Sequence, residues 1–536
     1  MFFPPPGSHA MQYFRTENLC LWYSLIFLIV VYLVAIVCYR LFLSPLAKFP
    51  GPRLAAATGL YETYFQIVKG GVFTWHIDRL HERYGPIVRI KPGELHIKDP
   101  DYYSTLYAGP GKHRNKDSWF SNITYPQSLF STNNHDLHVA RRKVLSHFFK
   151  KNAVWKLEPV IASKMKSLCR HFSTGAGTQQ PLELHAAFNC FTCDTLSEHA
   201  FGSQNGFHYL DEPNLSATWK TRINWLFQFC RTARHFPFLG LLGKVSPMTV
   251  IFFCPPYKYV YEFEQDVKSR VRIVMEDHRQ LEKTEKMPPV PVNHDPATRT
   301  RDAIYPAILA NPEVPPSEKE IQRLEDDAMF LMMAGTDAPA QALAITVFHI
   351  LNNPDVHRKV RAELFANIPD RGTIPTLALL EQLPYLNATI REGLRISSIV
   401  TTRLPRIAPD EHLQYRQWHI PAGTAVSMST HFILRDPNIF PEPSKFIPER
   451  WLLCPTELQE LQKYLIPASK GTLGCLGQNL NWALMQIVLG TLLRRFDLGL
   501  HQTTEKNVEM TRDNFIGQTE KNMNLIQVKV LQEYEK

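Results

Sequence analysis

One uncharged segment near the N-terminus constrains this chain more than any other feature. Cys20–Tyr39 is a run of 20 residues without a charged side chain. A helix of that length crosses the hydrocarbon core of a bilayer. A cleaved signal peptide would have a shorter apolar core and a small-residue cleavage site, and the segment shows neither. We therefore predict a retained, single-pass membrane anchor.

The charges on either side of this segment predict its orientation. Arg40, Lys48 and Arg53 follow it, whereas Arg15 before it is balanced by Glu17. Because cytoplasmic flanks carry the excess of Lys and Arg, the N-terminus is expected in the lumen and the body in the cytosol. Three glycosylation sequons would then face the wrong compartment and stay unused. They are Asn122, Asn214 and Asn387.

Proline residues directly after the segment would stop its helix and form a stiff connection. The predicted organisation is a lumenal N-terminus (1–19), an anchor (20–43), a proline-rich elbow (44–53) and one large domain (54–536). That domain is long enough to bury a sizeable core and to enclose a cofactor.

Composition excludes several classes of protein. The nine cysteines are odd in number and irregularly spaced, which argues against a disulfide framework. Cys190 and Cys193 lack the second pair that a zinc site needs, so we interpret them as buried helix residues. The net charge of +9 comes without a nucleic-acid-binding motif. It favours a basic surface for a membrane or an acidic protein, or else a solvated face without a partner.

The spacing of apolar residues predicts a mainly α protein with a small β-sheet. Ser317, Glu320 and Pro339 predict a capped and locally distorted helix near the middle of the domain. The predicted helices are 136–172, 181–200, 317–351, 378–397 and 478–495, the strands are 87–90, 94–97, 413–420 and 425–431, and the exposed loop is 283–301.

The residues around Cys475 carry the strongest chemical signal. Gly471, Gly474 and Gly477 flank this cysteine just before the last predicted helix. Glycines let a backbone pass close to a flat ligand, and a helix N-terminus with nearby amides favours a thiolate. A thiolate ligates iron and favours O–O cleavage. Alone, the pattern is equally compatible with a turn that holds a buried cysteine.

Two weaker motifs precede this loop. Glu392 and Arg395 share one helix face, and Arg450 lies in the proline-punctuated segment Phe446–Trp451. In this order and spacing, the three motifs resemble the cytochrome P-450 superfamily over nearly the whole chain. The anchor and elbow resemble its microsomal members. Segments 49–52, 84–89 and 435–437 are similar to the trichodiene-oxygenase-like enzymes of fungal secondary metabolism.

This resemblance implies a haem-binding fold. Haem b would lie between a long distal helix and the proximal cysteine-loop helix, with Cys475 as the axial iron ligand and Gly471 and Gly477 beside the cofactor. Glu392, Arg395 and Arg450 would form the family's buried charge triad.

The resemblance also implies contacts to the haem propionates. His138 and Arg142 would supply them, unless the segment is only a basic surface face. Of Arg403 and Arg406, the second is the better candidate.

In the long helix, Ala334 and Gly335 would form the oxygen-binding bulge, and Asp337 would serve proton delivery. Ala338 stands where the family usually has threonine, so proton delivery would depend on water, on Asp337 or on a substrate hydroxyl. Four residues are expected to line the substrate cavity by their position relative to the motifs. They are Phe120, Met333, Val400 and Ile516.

The haem loop departs from the family pattern as well. Leu473 replaces the usual basic residue that contacts a propionate, and Ala468 replaces the usual phenylalanine near the sulfur. Loss of an ion pair would weaken haem retention, and loss of the ring would alter the redox potential.

The resemblance implies a monooxygenase of the endoplasmic reticulum membrane. It would hydroxylate or epoxidise a small apolar substrate, a terpenoid or polyketide intermediate, with dioxygen and electrons from NADPH. The implied partners are NADPH–cytochrome P-450 reductase, cytochrome b5 and the lipid bilayer, with no nucleic acid. Two alternatives stay open. Ala338 motivates an isomerase or dehydratase that needs no dioxygen, and Leu473 with Ala468 motivates a degenerate haem-binding protein.

Overall fold

The protein is built around one long helix that runs through its core. A computed structural model describes residues 8–121, 125–178, 180–285 and 303–534. The long helix, Ile321–Leu351, packs against helices Leu184–Phe201, Tyr257–Glu285 and Pro384–Ser397. Most of its side chains are buried, which identifies it as a core helix despite its apolar length.

Helices dominate the described residues. The α-helices are Ser8–Cys38, Arg53–Ala57, Leu60–Thr63, Phe73–Tyr84, Tyr103–Leu106, Ser118–Ser121, His135–Ser146, Lys151–Lys156, Glu158–Thr178, Leu184–Phe201, Thr218–His235, Pro237–Val245, Pro247–Phe253, Tyr257–Glu285, Ile304–Ala310, Ile321–Leu351, Pro354–Asn367, Leu377–Leu380, Pro384–Ser397, Thr430–Leu434, Pro455–Gln462 and Gln478–Arg495. Short π-helical segments follow at Tyr39–Leu43 and Tyr64–Val68.

The strands form four small sheets. The largest has five strands in the order Ile87–Lys91, Glu94–Ile97, Ala425–Ser427, Arg406–Ile407 and Asn115–Lys116. A second has the order Leu182–Glu183, Gln527–Glu533 and Phe496–His501. Two hairpins pair Leu413–Tyr415 with Trp418–Ile420 and Arg512–Asn514 with Ile516–Gln518.

The N-terminal segment is helical up to Leu43, and the elbow that follows has no regular helix before Arg53. Leu21–Leu43 is apolar enough to cross a membrane, and none of its most apolar window is buried. After Ser44 the chain packs against the first strand, where the Arg89 amide donates to the Pro50 carbonyl at 2.7 Å. The Arg89 guanidinium also donates to the Arg40 carbonyl at 2.8 Å. The elbow is therefore fixed to the domain.

Elements with strong local patterns match the prediction. The first hairpin and the helix Gln478–Arg495 lie where they were predicted, and the mainly α character is confirmed. The predicted helix 181–200 begins at Leu184, because residues 182–183 pair with the C-terminal strand instead. The predicted loop 283–301 lies almost wholly outside the described residues.

Other predicted boundaries are wrong. The predicted helix 136–172 is broken by a 3₁₀ turn at His147–Phe149, and Pro384 divides the predicted helix 378–397. The predicted strand 413–420 is a hairpin of two short strands. The predicted strand 425–431 ends at Ser427, and a short helix begins at Thr430.

The start of the long helix also differs from the prediction. Ser317 makes no cap, because residues 316–318 form a separate 3₁₀ turn that Glu318 holds through Arg141 and Arg323. The helix then continues without a break through Ala334 and past Pro339.

Candidate functional site

Cys475 lies in a tight loop before the helix Gln478–Arg495. Gly471 is in the left-handed region, with φ +74°, and a Cβ there would lie 2.2 Å from the Ala108 carbonyl oxygen. Only glycine fits, because a side chain would collide with fixed backbone. A Cβ on Gly477, by contrast, would meet open space. The conformation of the loop therefore depends on Gly471.

The surroundings of Cys475 act on the pKa of its thiol in opposite directions. Its side chain is accessible, yet burial raises its pKa, against the opposing effects of the Gly477 amide and the Arg142 charge. The predicted stabilisation by a helix N-terminus is thus present but is outweighed by desolvation. A bound metal ion would reverse this, because a coordinating thiol is deprotonated outright.

Three cations converge beside this loop without an acidic partner. Lys116, Arg142 and Arg406 form no ion pair within the described part of the chain, and their nearest hydrogen-bond acceptors are backbone carbonyls. Strand pairing sets Lys116 opposite Arg406. Burial and the two arginines hold the pKa of Lys116 well below its usual range. An unpaired buried charge is costly, so the cluster is suited to an anionic ligand.

His138 completes this cluster as a neutral group. Burial, and then the charges of Lys116, Arg142 and Arg406, lower its pKa to about 2. Its buried Nδ1 has no hydrogen-bond partner in the structure. The structure brings the predicted residues His138, Arg142 and Arg406 close together. The sequence missed Lys116, because nothing local shows that residues 115–116 pair with residues 406–407.

Arg403, the other candidate, is already engaged. Its guanidinium donates to Glu62 at 2.9 and 3.0 Å and to Glu94 at 2.6 and 2.9 Å. Lys91 lies 3.3 Å from the same Glu62 carboxylate. Arg406 alone of the two arginines remains available for a ligand.

The long helix presents one open face inside the protein. Ala334 is exposed, and Leu331, Gly335 and Ala338 are partly exposed, although most neighbouring residues of this helix are buried. The spacing places these four positions on a single helix face. A Cβ on Gly335 would lie 2.5 Å from a methyl group of Leu196, so this glycine also permits close helix packing. The open face and the accessible cysteine suit the flat haem that the resemblance implies, and the cation cluster suits the two haem propionates.

Asp337 points away from that face, toward the helix Leu184–Phe201. Its Oδ1 accepts from His185 Nε2 at 3.0 Å and from Asn189 Nδ2 at 3.3 Å. Burial alone would raise the pKa of Asp337, but the charge and hydrogen bond of His185, the Asn189 hydrogen bond and the Lys220 charge together lower it. The carboxylate is therefore ionised at neutral pH. His185, which the sequence did not single out, and Lys220 line a second cavity with it.

The three predicted structural charges meet in the core. Arg395 donates to both Glu392 oxygens at 2.8 and 2.9 Å, and Arg450 Nε donates to Glu392 at 3.1 Å. Trp451, which the sequence did not indicate, donates its indole N–H to the same carboxylate at 2.9 Å. Both side chains of the Glu392–Arg395 pair are 0% exposed. Every polar group in this buried pair thus has a partner.

A cavity lies beside the long helix. It is lined by the aromatic residues Phe130, Phe227, Phe330 and Phe515, and by Met333. Of the four predicted lining residues, only Met333 lines it directly. Phe120 contacts Phe515, with ring centroids 6.1 Å apart, and Val400 pairs with Ile516 in a β-bridge nearby. None of the four aromatic residues belongs to a motif, so the sequence did not single them out.

Two other sequence interpretations can be placed. Cys190 and Cys193 are buried in the helix Leu184–Phe201, as expected. The side-chain amide of Asn387 is buried and donates to three backbone carbonyls, which excludes glycosylation in the folded state. Asn214 is exposed, and Asn122 lies outside the described residues.

Comparison with known proteins identifies the family. The cytochrome P-450 family model matches residues 55–526. The chain is 35% identical to the cytochrome P-450 monooxygenase sdnE of Sordaria araneosa, across 95% of this chain and 97% of that protein. It is 33% identical to the monooxygenase TRI4 of Fusarium sporotrichioides, across 94% of each. It is 36% identical to the tryptophan 6-hydroxylase fscE of Fusarium equiseti, across 89% and 90%.

These relatives are fungal enzymes, and several are named as monooxygenases. The predicted family and its fungal subgroup are therefore confirmed, with haem and a cysteine thiolate ligand as the family's cofactor arrangement. The chain belongs to the cytochrome P-450 family and is a haem-thiolate monooxygenase.

Proposed function

We propose that this chain holds haem b through Cys475 and oxygenates a small apolar intermediate of fungal secondary metabolism, a terpenoid or a polyketide. The observation that carries this proposal is the cation cluster beside the cysteine loop, whose members Lys116, Arg142 and Arg406 form no ion pair within the described residues. When bound, the haem supplies reductive activation of dioxygen with electrons that come from NADPH.

Four side chains would hold the propionates. Lys116, Arg142 and Arg406 supply charge, and His138 supplies a neutral hydrogen-bonding group. Lys116 would also replace the cation that is missing at Leu473. This compensation favours a functional haem site over the degenerate alternative, since charge-assisted hydrogen bonds to carboxylates are among the strongest in proteins.

Asp337 and His185 would supply protons. Ala338 offers no hydroxyl, and the hydroxyl of Thr336 is turned toward Met332 and Trp219 instead. The carboxylate of Asp337 bonds to His185, which borders the second cavity. Protons would pass from that cavity through His185 to Asp337, and then through water past Ala338.

The proposal includes a location in the cell and a second contact with the membrane. We place the anchor 20–43 in the endoplasmic reticulum, with residues 1–19 in the lumen. Exposed apolar side chains on Pro237–Val245 and Pro247–Phe253 would touch the same membrane, among them Phe252 and Phe253, which are 79% and 80% exposed. The electron donors would be NADPH–cytochrome P-450 reductase and cytochrome b5.

The reaction class is tested by isotope labelling. The membrane-bound enzyme, with reductase, NADPH and ¹⁸O₂, is expected to add one labelled oxygen atom to substrates from a panel of terpenoids and polyketides. Omission of NADPH should abolish the product. A product that forms equally well without NADPH and without dioxygen would instead support the isomerase or dehydratase alternative.

Replacement of Asp337 by asparagine is expected to slow turnover about 10²-fold or more, the size of a lost general acid–base contribution. Haem content should stay unchanged, and more NADPH should be consumed per product. Asp326→Asn is the matched control, because Asp326 is a buried carboxylate on the same helix that bonds to Gln127 and Gln322. Unchanged turnover and coupling in Asp337→Asn would contradict the proton-delivery role.

A further inference from the structure

The cavity lined by Met333 has both an apolar and a cationic lining. Phenylalanine rings supply most of the apolar part, with Phe130 stacked on Phe330 at 4.5 Å between ring centroids. Arg231 and Arg234 line the same cavity. These two arginines are three residues apart near the end of the helix Thr218–His235, so they share one helix face.

Both arginines lie near acidic residues but pair directly with none of them in the described structure. In the described ranges of the chain, Arg231 and Arg234 make no ion pair and no hydrogen bond, and the buried Nε of each is without an acceptor. The guanidinium of Arg234 lies over the ring of Phe120 at 4.3 Å and near that of Trp119 at 5.8 Å. Ring faces attract a cation but leave its N–H groups unsatisfied.

The acidic residues nearby are already occupied. Glu62 binds Arg403 and Lys91. Asp513, which also lines the cavity, accepts from neutral donors on both oxygens. These donors are Gln66, Thr74, Thr401 and the backbone amide of Phe515. Burial lowers the pKa of both Arg231 and Arg234, although the charge of Asp513 opposes this shift at both arginines and that of Glu62 opposes it at Arg234.

We propose that this cavity binds a substrate whose apolar skeleton carries a carboxylate, with Arg234 and Arg231 binding that group and the phenylalanine rings packing on the skeleton. The inference rests on the proposed function and narrows its substrate class. The planar guanidinium fork matches a carboxylate in two-point geometry. Such a fixed end would orient the skeleton, and orientation decides which carbon is oxidised.

The proposal is tested by binding, without turnover. The probes are dehydroabietic acid and dodecanoic acid, each beside its methyl ester. Equilibrium dialysis would use the full-length, haem-loaded protein in lipid nanodiscs, with empty nanodiscs as the blank for partitioning. The variants are Arg234→Gln, Arg231→Gln and the charge-retaining Arg234→Lys. Arg279→Gln is the control, because Arg279 is 61% exposed and pairs with Glu276 on its own helix.

In the wild type, at least one acid is expected to bind about 10–100-fold more tightly than its ester, the effect of a charge-assisted hydrogen bond. Arg234→Gln should remove most of that preference and leave ester affinity unchanged. Arg234→Lys should retain part of it, and Arg279→Gln all of it. If Arg234→Gln loses its haem spectrum, the proposal is judged instead from Arg231→Gln and from the acid–ester comparison in the wild type.

Three results would overturn the inference. They are equal affinity for acid and ester in the wild type, failure of both acids to bind, and a preference that survives in both glutamine variants. Because the experiment contains no NADPH, it does not depend on turnover. A protein that binds acids but incorporates no labelled oxygen would contradict the proposed function but would still support the carboxylate-binding site.

Discussion

Replacement of Glu392 by glutamine is expected to lower the free energy of unfolding by about 3–5 kcal/mol, the cost of breaking a buried ion pair. The carboxylate accepts from Arg395, Arg450, Trp451 and the amide of Ile447. A glutamine would leave the fully buried Arg395 charge without compensation. Since whole domains are stable by only about 5–15 kcal/mol, most of the variant should fail to fold around haem.

A surface pair with the same spacing provides the control. Asp355 and Arg358 are also three residues apart on a helix, but their side chains are 76% and 74% exposed. Asp355→Asn is expected to cost less than about 1 kcal/mol, because water replaces the lost contact. The measurements are the yield of haem-loaded protein per total protein and the midpoint of thermal unfolding. Equal losses in the two variants would contradict the structural role of the buried triad.

Replacement of Lys116 by methionine is expected to weaken haem binding about 10–100-fold, the value of a charge-assisted hydrogen bond. Combination with Arg142→Met should weaken it further. The haem-free protein, in contrast, should melt at the same or a higher temperature. Lys116 is a buried cation without an acidic partner, so its removal relieves a desolvation cost.

This opposite response distinguishes a ligand-binding cation from a structural one. Haem loss is measured by transfer to an acceptor globin, and stability by thermal unfolding of the haem-free form. Lys112→Met serves as the control, because Lys112 lies on the same loop, is 57% exposed and pairs with Glu411. A haem-free Lys116→Met protein that is less stable, with haem affinity unchanged, would contradict the propionate assignment.

Local patterns made part of this structure predictable. The helix Gln478–Arg495 follows a glycine-rich loop, and the first hairpin has a clear turn, so both were found at their true positions. Helix breaks were missed where the cause is tertiary. Residues 316–318 stay separate from the long helix because Glu318 pairs with Arg141 and Arg323.

In the functional site, too, residues within local motifs were predictable and residues placed by tertiary contacts were not. Cys475, Arg142 and Arg406 belong to motifs and could be named from the sequence. Lys116 became recognisable only through its strand pairing with Arg406, a contact between residues nearly three hundred positions apart in the chain. Arg234 carries no motif, and its significance comes from a buried Nε that has no hydrogen-bond acceptor in the described structure. Such information depends on the packing of distant segments.

The most direct test of the account is the carbon monoxide difference spectrum of the reduced, membrane-expressed protein, recorded beside Cys475→Ala. We expect a red-shifted Soret band typical of a thiolate ligand in the wild type, and its complete loss in the variant. Haem binding with only the blue-shifted band in the wild type would show that the thiolate site is compromised. A folded wild-type protein without haem, or a red-shifted band that persists in Cys475→Ala, would contradict the central claim that Cys475 holds the iron.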